Sequence, residues 1–246
     1  MTATCGPEEL LVATLARLLE GCRTIAVGVS SPIPGSAALL ARQQSSTPVH
    51  VEVLESFTGN SFTEGSVELF DRAAQGRVDA FFLGGGQIDG QANINLVGVG
   101  SYPVTTVRWP GSFGSAYLYF MVPRVILFRE EHTRRVFVPK VDFVSAPGVS
   151  DHGIHRPGGP HALVTQLACF SFDKERARFR LESVHPGHTL ADILENTGFE
   201  FDHDIEPATT AMPDAETLSV IRGPVAREIA RSYPKFAARV FSDRAM

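Results

Sequence analysis

The sequence predicts an α/β fold: an open, mostly parallel sheet with helices on both faces and an antiparallel portion in the second half. Three observations carry that reading. Over the first ninety residues, helical stretches alternate with short apolar runs, as in a parallel sheet wrapped by helices. The middle and second half are richer in strand-like segments. Glycine-bearing polar loops follow the apolar runs, at the sheet edge where such folds bind ligands. One domain, residues 1–246, is expected to hold all of this, with residues 202–246 as its C-terminal helical tail.

Each element has its own reason. In PEELLVATLARLLEG, Leu11, Leu15 and Leu18 share one helical face, which marks an amphipathic helix packed on a sheet. TIAVGVS (24–30) is a short β-branched run and reads as a buried strand. Pro32, Pro34 and Gly35 then make a loop, with Ser36 placed to cap a short helix. VHVEVLE (49–55) is a second strand, and the polar FTGNSFTEG after it is a loop. SVELFDRAAQG (66–76) sets Val67, Phe70 and Ala74 on one helical face and stops at Gly76. DAFFLGG (79–85) is a third strand.

The later segments are VTTVRW (104–109), RVILF (124–128) and RVFVPKVDFVSA (135–146), all read as strands. Residues 149–160, VSDHGIHRPGGP, are the most loop-like stretch, a lobe boundary or a mobile flap. HALVTQLACFSFD and RARFRLESV read as an antiparallel pair joined by the turn DKERA. TLADILENTG (189–198) is a helix with Thr189 as N-cap, Asp192 three residues on, and Gly198 as its stop. AETLSVIRG and PVAREIARSY are helical.

Composition removes several function classes. A hydrophobic content of 43% and a charged content of 20% fill an ordinary globular core. The net charge of −5 argues against a nonspecific grip on nucleic acid or anionic membrane. Cys5, Cys22 and Cys169 are odd in number and lack CxxC spacing, which argues against a disulfide framework or a Cys-rich zinc site and fits a reducing cytoplasm. The N-terminus lacks the basic start of a signal peptide, and Glu8, Glu9, Arg17 and Glu20 rule out a membrane span there. No metal site is expected: HGIH (His152, His155) lies in a Gly/Pro loop, and HPGH (His185, His188) precedes a helix. Neither GxSxG nor HExxH occurs.

Two loops and one strand end remain as candidates. FFLGGGQIDGQANIN (81–95) lacks the Lys and Ser/Thr of a phosphate loop, and GxGxxG fails at Asp89. Gly84, Gly85 and Gly86 either let the backbone approach a ligand and aim N–H groups at an anion, or simply turn the chain after a buried strand. WPGSFGSA offers a second backbone-rich loop at Ser112, Phe113 and Gly114, although Pro110–Gly111 alone explains a turn there. Glu55 closes the second strand at the expected ligand edge, either as a nucleophile or base or as a solvated loop residue.

Taken in order, GGGQIDGQANIN, VRWPGSFGSA, RVFVPKVDFVSAPG and VHPGHTLADILENTGFEF resemble the motifs of the β subunit of class I coenzyme A-transferases, the glutaconate CoA-transferase-like branch. The likeness spans nearly the whole chain. It implies the CoA-transferase fold, an acyl-CoA substrate, no cofactor beyond the CoA of that substrate, and an α subunit as partner in an αβ or α₂β₂ assembly. It also implies that Gly84, Gly85, Gly86, Gln87, Asp89, Asn93, Asn95, Ser112, Phe113 and Gly114 bind substrate, with ordering of the loop itself an equal alternative for Gln87, Asp89, Asn93 and Asn95. In such transferases a catalytic glutamate follows the second strand in an E-S-G or E-N-G turn.

Here that turn reads VLESFTGN, and the pattern is broken. Aligned on Val51, Val53 and Leu54, Ser56 rather than Glu55 falls at the nucleophile position, and a one-residue slip turns a strand side chain to the opposite face. Either local backbone change restores Glu55, or this subunit has lost the nucleophile. The second case resembles the family members that use this fold for hydrolytic C–C cleavage of steroid-derived (cholesterol C/D-ring) CoA thioesters. That resemblance implies an essential glutamate on the α subunit. The runner-up is an acyl-CoA:carboxylate CoA-transferase using Glu55, and a non-catalytic stabilising subunit is the third reading.

Overall fold

The computed structural model describes residues 5–54, 56, 60–62 and 66–241. Within it the chain divides into two compact units, one of Met1–Arg72, Arg77–Phe82 and Ala211–Met246, the other of Ala73–Gly76 and Leu83–Thr210. Helix α1 is Pro7–Arg17, followed by β1 (Thr24–Val27), α2 (Pro32–Gln44), β2 (His50–Val53), α3 (Ser66–Ala74) and β3 (Ala80–Leu83). In the first unit β1 pairs in parallel with both β2 and β3, giving the order β2-β1-β3. Ile25, Ala26 and Val27 are fully buried in this central strand, as its apolar run requires.

Two local expectations are corrected. Ser36 is not a cap: α2 begins at Pro32 with Ser31 as N-cap, and the Ser36 hydroxyl donates to the Pro32 carbonyl at 2.8 Å. Prolines fit a first helical turn because its N–H groups have no intrahelical acceptor. The buried stripe of α3 is Leu69 and Ala73, whereas Val67 is 56% exposed. The helix is therefore rotated from the Val67, Phe70, Ala74 face, and an i, i+4 pair faces inward.

The second unit opens with short pieces: β4 (Gln87–Ile88), β5 (Ile94–Asn95), β6 (Gly98–Val99), β7 (Val107–Arg108) and α4 (Ser115–Met121). Longer elements follow: β8 (Arg124–Arg129), β9 (Pro160–Thr165), β10 (Ala168–Asp173), β11 (Arg178–Val184), α5 (Leu190–Asn196) and β12 (Ala208–Thr209). β8 pairs with β9 in parallel, β9 with β10 and β10 with β11 antiparallel, and β11 with β12 in parallel. The chain thus has the expected α/β class, with its antiparallel portion in the second half. HALVTQLACFSFD, read as one strand, is two, turning at Gln166–Leu167. The 135–146 stretch forms no strand: Phe137 and Ala146 make isolated bridges to Ile88 and Ile94. Pro139 interrupts it and supplies no N–H for a ladder.

Aromatic packing holds this unit. The Phe179 and Phe199 rings stack 5.6 Å apart, and Phe170 meets Phe201 edge-on at 5.3 Å. The capping box at α5 forms as expected, with the Asp192 N–H donating to Thr189 Oγ1 at 3.2 Å and the Thr189 N–H donating to the Asp192 carboxylate at 2.7 Å. The tail returns to the first unit as α6 (Ala215–Val220), a π-turn over Ile221–Val225 that accommodates Pro224, α7 (Ala226–Ile229) and α8 (Pro234–Phe241). Arg222 on the π-turn grips Glu9 of α1 in a two-pronged pair, Nε to Oε1 at 2.6 Å and Nη2 to Oε2 at 2.9 Å, and Glu9 is completely buried. A bidentate guanidinium–carboxylate pair is the geometry that makes a buried charge tolerable.

Two histidines are buried and neutral. His132 has Thr165 Oγ1 at 2.8 Å from Nδ1 and Thr197 Oγ1 at 2.9 Å from Nε2. The His185 Nε2–H donates to the Thr165 carbonyl at 2.9 Å, and its Nδ1 lies 2.7 Å from Thr210 Oγ1. Burial, with the neighbouring imidazoles, pushes His132 from 6.5 down to about 4. Burial also pushes His185 down to about 4, against the opposing effect of its Thr165 bond. The unfolded chain therefore binds these protons near pH 6.5 and the folded chain only near pH 4. Their stabilisation is complete above the upper value and lost as pH falls toward the lower, by about 3 kcal/mol per histidine. Urea melts across that window are expected to show a falling midpoint, and His185→Gln to flatten the fall.

Candidate active site

The loop after β3 is built from the inside. The Gly86 N–H donates to the Asn95 carbonyl at 2.9 Å, and β4 and β5 pair Gln87 with Asn95 and Ile88 with Ile94. Gln87 and Asn95, both buried, face each other: Asn95 Nδ2 donates to Gln87 Oε1 at 2.7 Å, while Asn95 Oδ1 accepts the Val97 N–H at 2.9 Å. Gln87 also ties in a distant segment, accepting the Asp142 N–H at 3.0 Å and donating Nε2 to Asp142 Oδ2 at 3.1 Å. The buried Asp89 carboxylate accepts N–H groups from Gln91 and Asn93 at 3.1 Å each, Asn93 Nδ2 at 3.2 Å and the Val141 N–H at 3.4 Å. Asn93 Oδ1 in turn accepts the Gly148 N–H at 3.1 Å. All four polar side chains are engaged in shaping the loop.

The glycines serve close approach. A Cβ on Gly85 would lie 2.8 Å from Ile94 Cγ2, and one on Gly86 would lie 2.3 Å from the Trp109 ring. Trp109 therefore caps the glycine run at Gly86, and Ser112, Phe113 and Gly114 follow it in the chain. Gly114 has φ +71 and is the N-cap of α4; the Ser115 hydroxyl donates to the Ser112 carbonyl at 2.8 Å. Phe113 is 82% exposed. β6 and β7 pair between the loops as a small hairpin, and Asp142 Oδ2 accepts the Gly100 N–H at 2.8 Å at its turn.

Gln87, Asp89, Asn93 and Asn95, with the glycine run they frame, thus form one constellation. Trp109 and Asp142 hold it together and were not singled out from sequence, although both lie inside the motifs that carry the family resemblance. Glu55 falls outside the described residues. Ser56 belongs to the first unit, where its N–H donates to the Val53 carbonyl at 2.8 Å and it lines a small cavity with Leu39, Val51, Val53, Glu228, Ile229 and Ser232. Among the described residues no group of three or more His, Cys, Asp or Glu side chains is placed to hold a metal ion. Among the same residues no helix is long and apolar enough to cross a membrane.

The model of the coenzyme A transferase family matches residues 3–196. The chain belongs to that family. It is 31% identical over 91% of its length to one of the subunits of the 3-oxoadipate CoA-transferase of Pseudomonas knackmussii, covering 94% of that protein. It is 31% identical over 63% of its length to the cholesterol ring-cleaving hydrolase IpdB subunit of Rhodococcus jostii, covering 62% of it. The crystal structure of Rhodococcus jostii RHA1 IpdAB superposes with a TM-score of 0.79 at 26% identity, covering 89% of this chain and 94% of that one. The decarboxylase AibA/AibB follows the same fold, with a TM-score of 0.76 at 27% identity over 89% of this chain and 94% of that one. Several chemistries thus occur on this fold, so the reaction must be argued from the site.

Gly86→Ala is expected to lower stability by about 1–3 kcal/mol, because its Cβ drives into the indole. Trp109→Leu should relieve part of that cost, so the two losses combine non-additively by about 1 kcal/mol or more in a double-mutant cycle of thermal melts. Additive losses would show that the ring does not set the loop.

Proposed function

We propose that this chain is the β subunit of a two-subunit enzyme acting on an acyl-CoA thioester. Its reaction is hydrolytic C–C cleavage that opens a ring of a steroid-derived, cholesterol C/D-ring CoA thioester. The observation that carries the hydrolytic reading is VLESFTGN, where the transferase E-S-G or E-N-G turn is broken. The similarity to a ring-cleaving hydrolase subunit supports it. The partner is an α subunit carrying the glutamate that activates water, no cofactor is needed beyond the CoA of the substrate, and the reaction belongs in the cytoplasm, with its acyl-CoA pool.

The chemistry has a clear demand. Hydroxide adds to a ring ketone, and the tetrahedral alkoxide collapses to a carboxylic acid. The C–C electron pair leaves as an enolate, which then takes a proton. Fixed N–H donors stabilise such charge without reorganising. Gly84, Gly85 and the Ser112–Gly114 backbone form that wall in this reading, since the Gly86 N–H is already engaged with Asn95. Gln87, Asp89, Asn93 and Asn95 hold the wall in shape, and exposed Phe113 meets the apolar body of the acyl group.

A second reading, an acyl-CoA:carboxylate CoA-transferase using Glu55, draws on the near full-length match to the 3-oxoadipate CoA-transferase chain. The experiment separates them. Chain and co-expressed α subunit are incubated with a ring-keto CoA thioester in ¹⁸O water, with and without an acceptor acid. Ring opening without acceptor, one ¹⁸O in the new carboxylate and an active Glu55→Ala variant are expected. Acceptor dependence with a hydroxylamine-trapped adduct at Glu55 would establish the transferase instead.

A further inference from the structure

Strand β2 buries a charge where an apolar residue would serve. Its alternation sends Val51 and Val53 to one face, against Leu39 and Ile229, and His50 and Glu52 to the other. Glu52 is 1% exposed. Leaving a carboxylate inside a protein without partners costs several kcal/mol. Glu52 is instead saturated with donors. Oε2 accepts the Ser61 N–H at 2.7 Å, and Oε1 accepts the Ser61 hydroxyl, His50 Nε2 at 2.6 Å and Arg72 Nη1 at 3.2 Å. Burial pushes its pKa up, but the Ser61 bonds and His50 outweigh burial and hold it below the ordinary carboxylate range.

The partners share one address. Ser61 lies between β2 and α3 in the chain, and Arg72 is on α3. Its neighbours Asn60 and Phe62 are held as well. Asn60 Nδ2 donates to the Leu54 carbonyl at 3.2 Å, and the Arg72 guanidinium lies 4.7 Å from the centre of the Phe62 ring. In an open parallel sheet the segment after a strand's carboxyl end is where ligands are met.

We propose that Glu52 is a positioning residue: it fixes Asn60–Phe62 onto β2, so that these residues present one geometry to the acyl-CoA substrate. The functional half of this inference rests on the reading above. Glu52→Gln keeps the volume but turns an amide N–H₂ toward N–H and O–H donors, so the Ser61 bonds cannot all survive.

The test uses the full chain with its co-expressed α subunit. Glu52→Gln is expected to speed amide exchange at Ser61 and Phe62 at least tenfold, and to lower kcat for the CoA thioester at least tenfold with KM within twofold. Ser61→Ala, which keeps the Ser61 N–H bond, should fall between the two. If Glu52→Gln fails to fold, Ser61→Ala carries the comparison. Unchanged exchange, or faster exchange with unchanged kcat, overturns the proposal. A wild-type complex inactive on every CoA thioester would defeat the functional reading, and the clamp would then stand or fall on exchange alone.

Discussion

The second unit depends on one amide. Gln87 faces Asn95 across the loop and Asp142 across the chain, and each of these holds a further backbone segment. Asn95 accepts from the Val97 N–H, and Asp142 accepts from the Gly100 N–H. A glycine run alone has too much conformational freedom to present a surface. Here it is framed by a polar network whose members satisfy one another, and such networks specify a single arrangement when complete.

Carboxylates do comparable work elsewhere. Asp79 accepts the N–H groups of Arg23 and Thr24 at 2.7 and 2.8 Å, which fixes the start of β1. Asp214 accepts the Thr217 N–H at 2.8 Å and caps α6. Asp89 and Glu52 follow the same logic at larger scale. Acidic residues that a composition count assigns to the surface are, at these positions, substitutes for backbone acceptors.

What the sequence could show follows from this. Alternating apolar runs marked β1, β2 and β3, because burial on a parallel sheet needs apolar side chains in register. The site loops were visible as ordered motifs. The segment at 135–146 reads as a strand because its apolar residues meet β4 and β5 through isolated bridges at Ile88 and Ile94, which leaves the same pattern. The role of Trp109 was hidden for another reason. Its significance lies in what it touches, the open face of Gly86, and spacing carries no trace of that contact. The roles of Gln87, Asp89, Asn93 and Asn95 were open between chemistry and scaffold, and only hydrogen-bond partners weigh that question.

The Arg222–Glu9 pair also bears on how the chain is made. The first unit is discontinuous, and its closing residues, from Ala211 onward, are synthesised after the second unit. The second unit runs almost unbroken from Leu83 to Thr210, so it is complete on the ribosome while α1 still lacks its guanidinium partner. Glu9 must stay hydrated until then, because domains fold as units and an unpaired carboxylate resists burial. The N-terminal third of the protein therefore finishes folding after the middle, in an order opposite to that in which the two are translated.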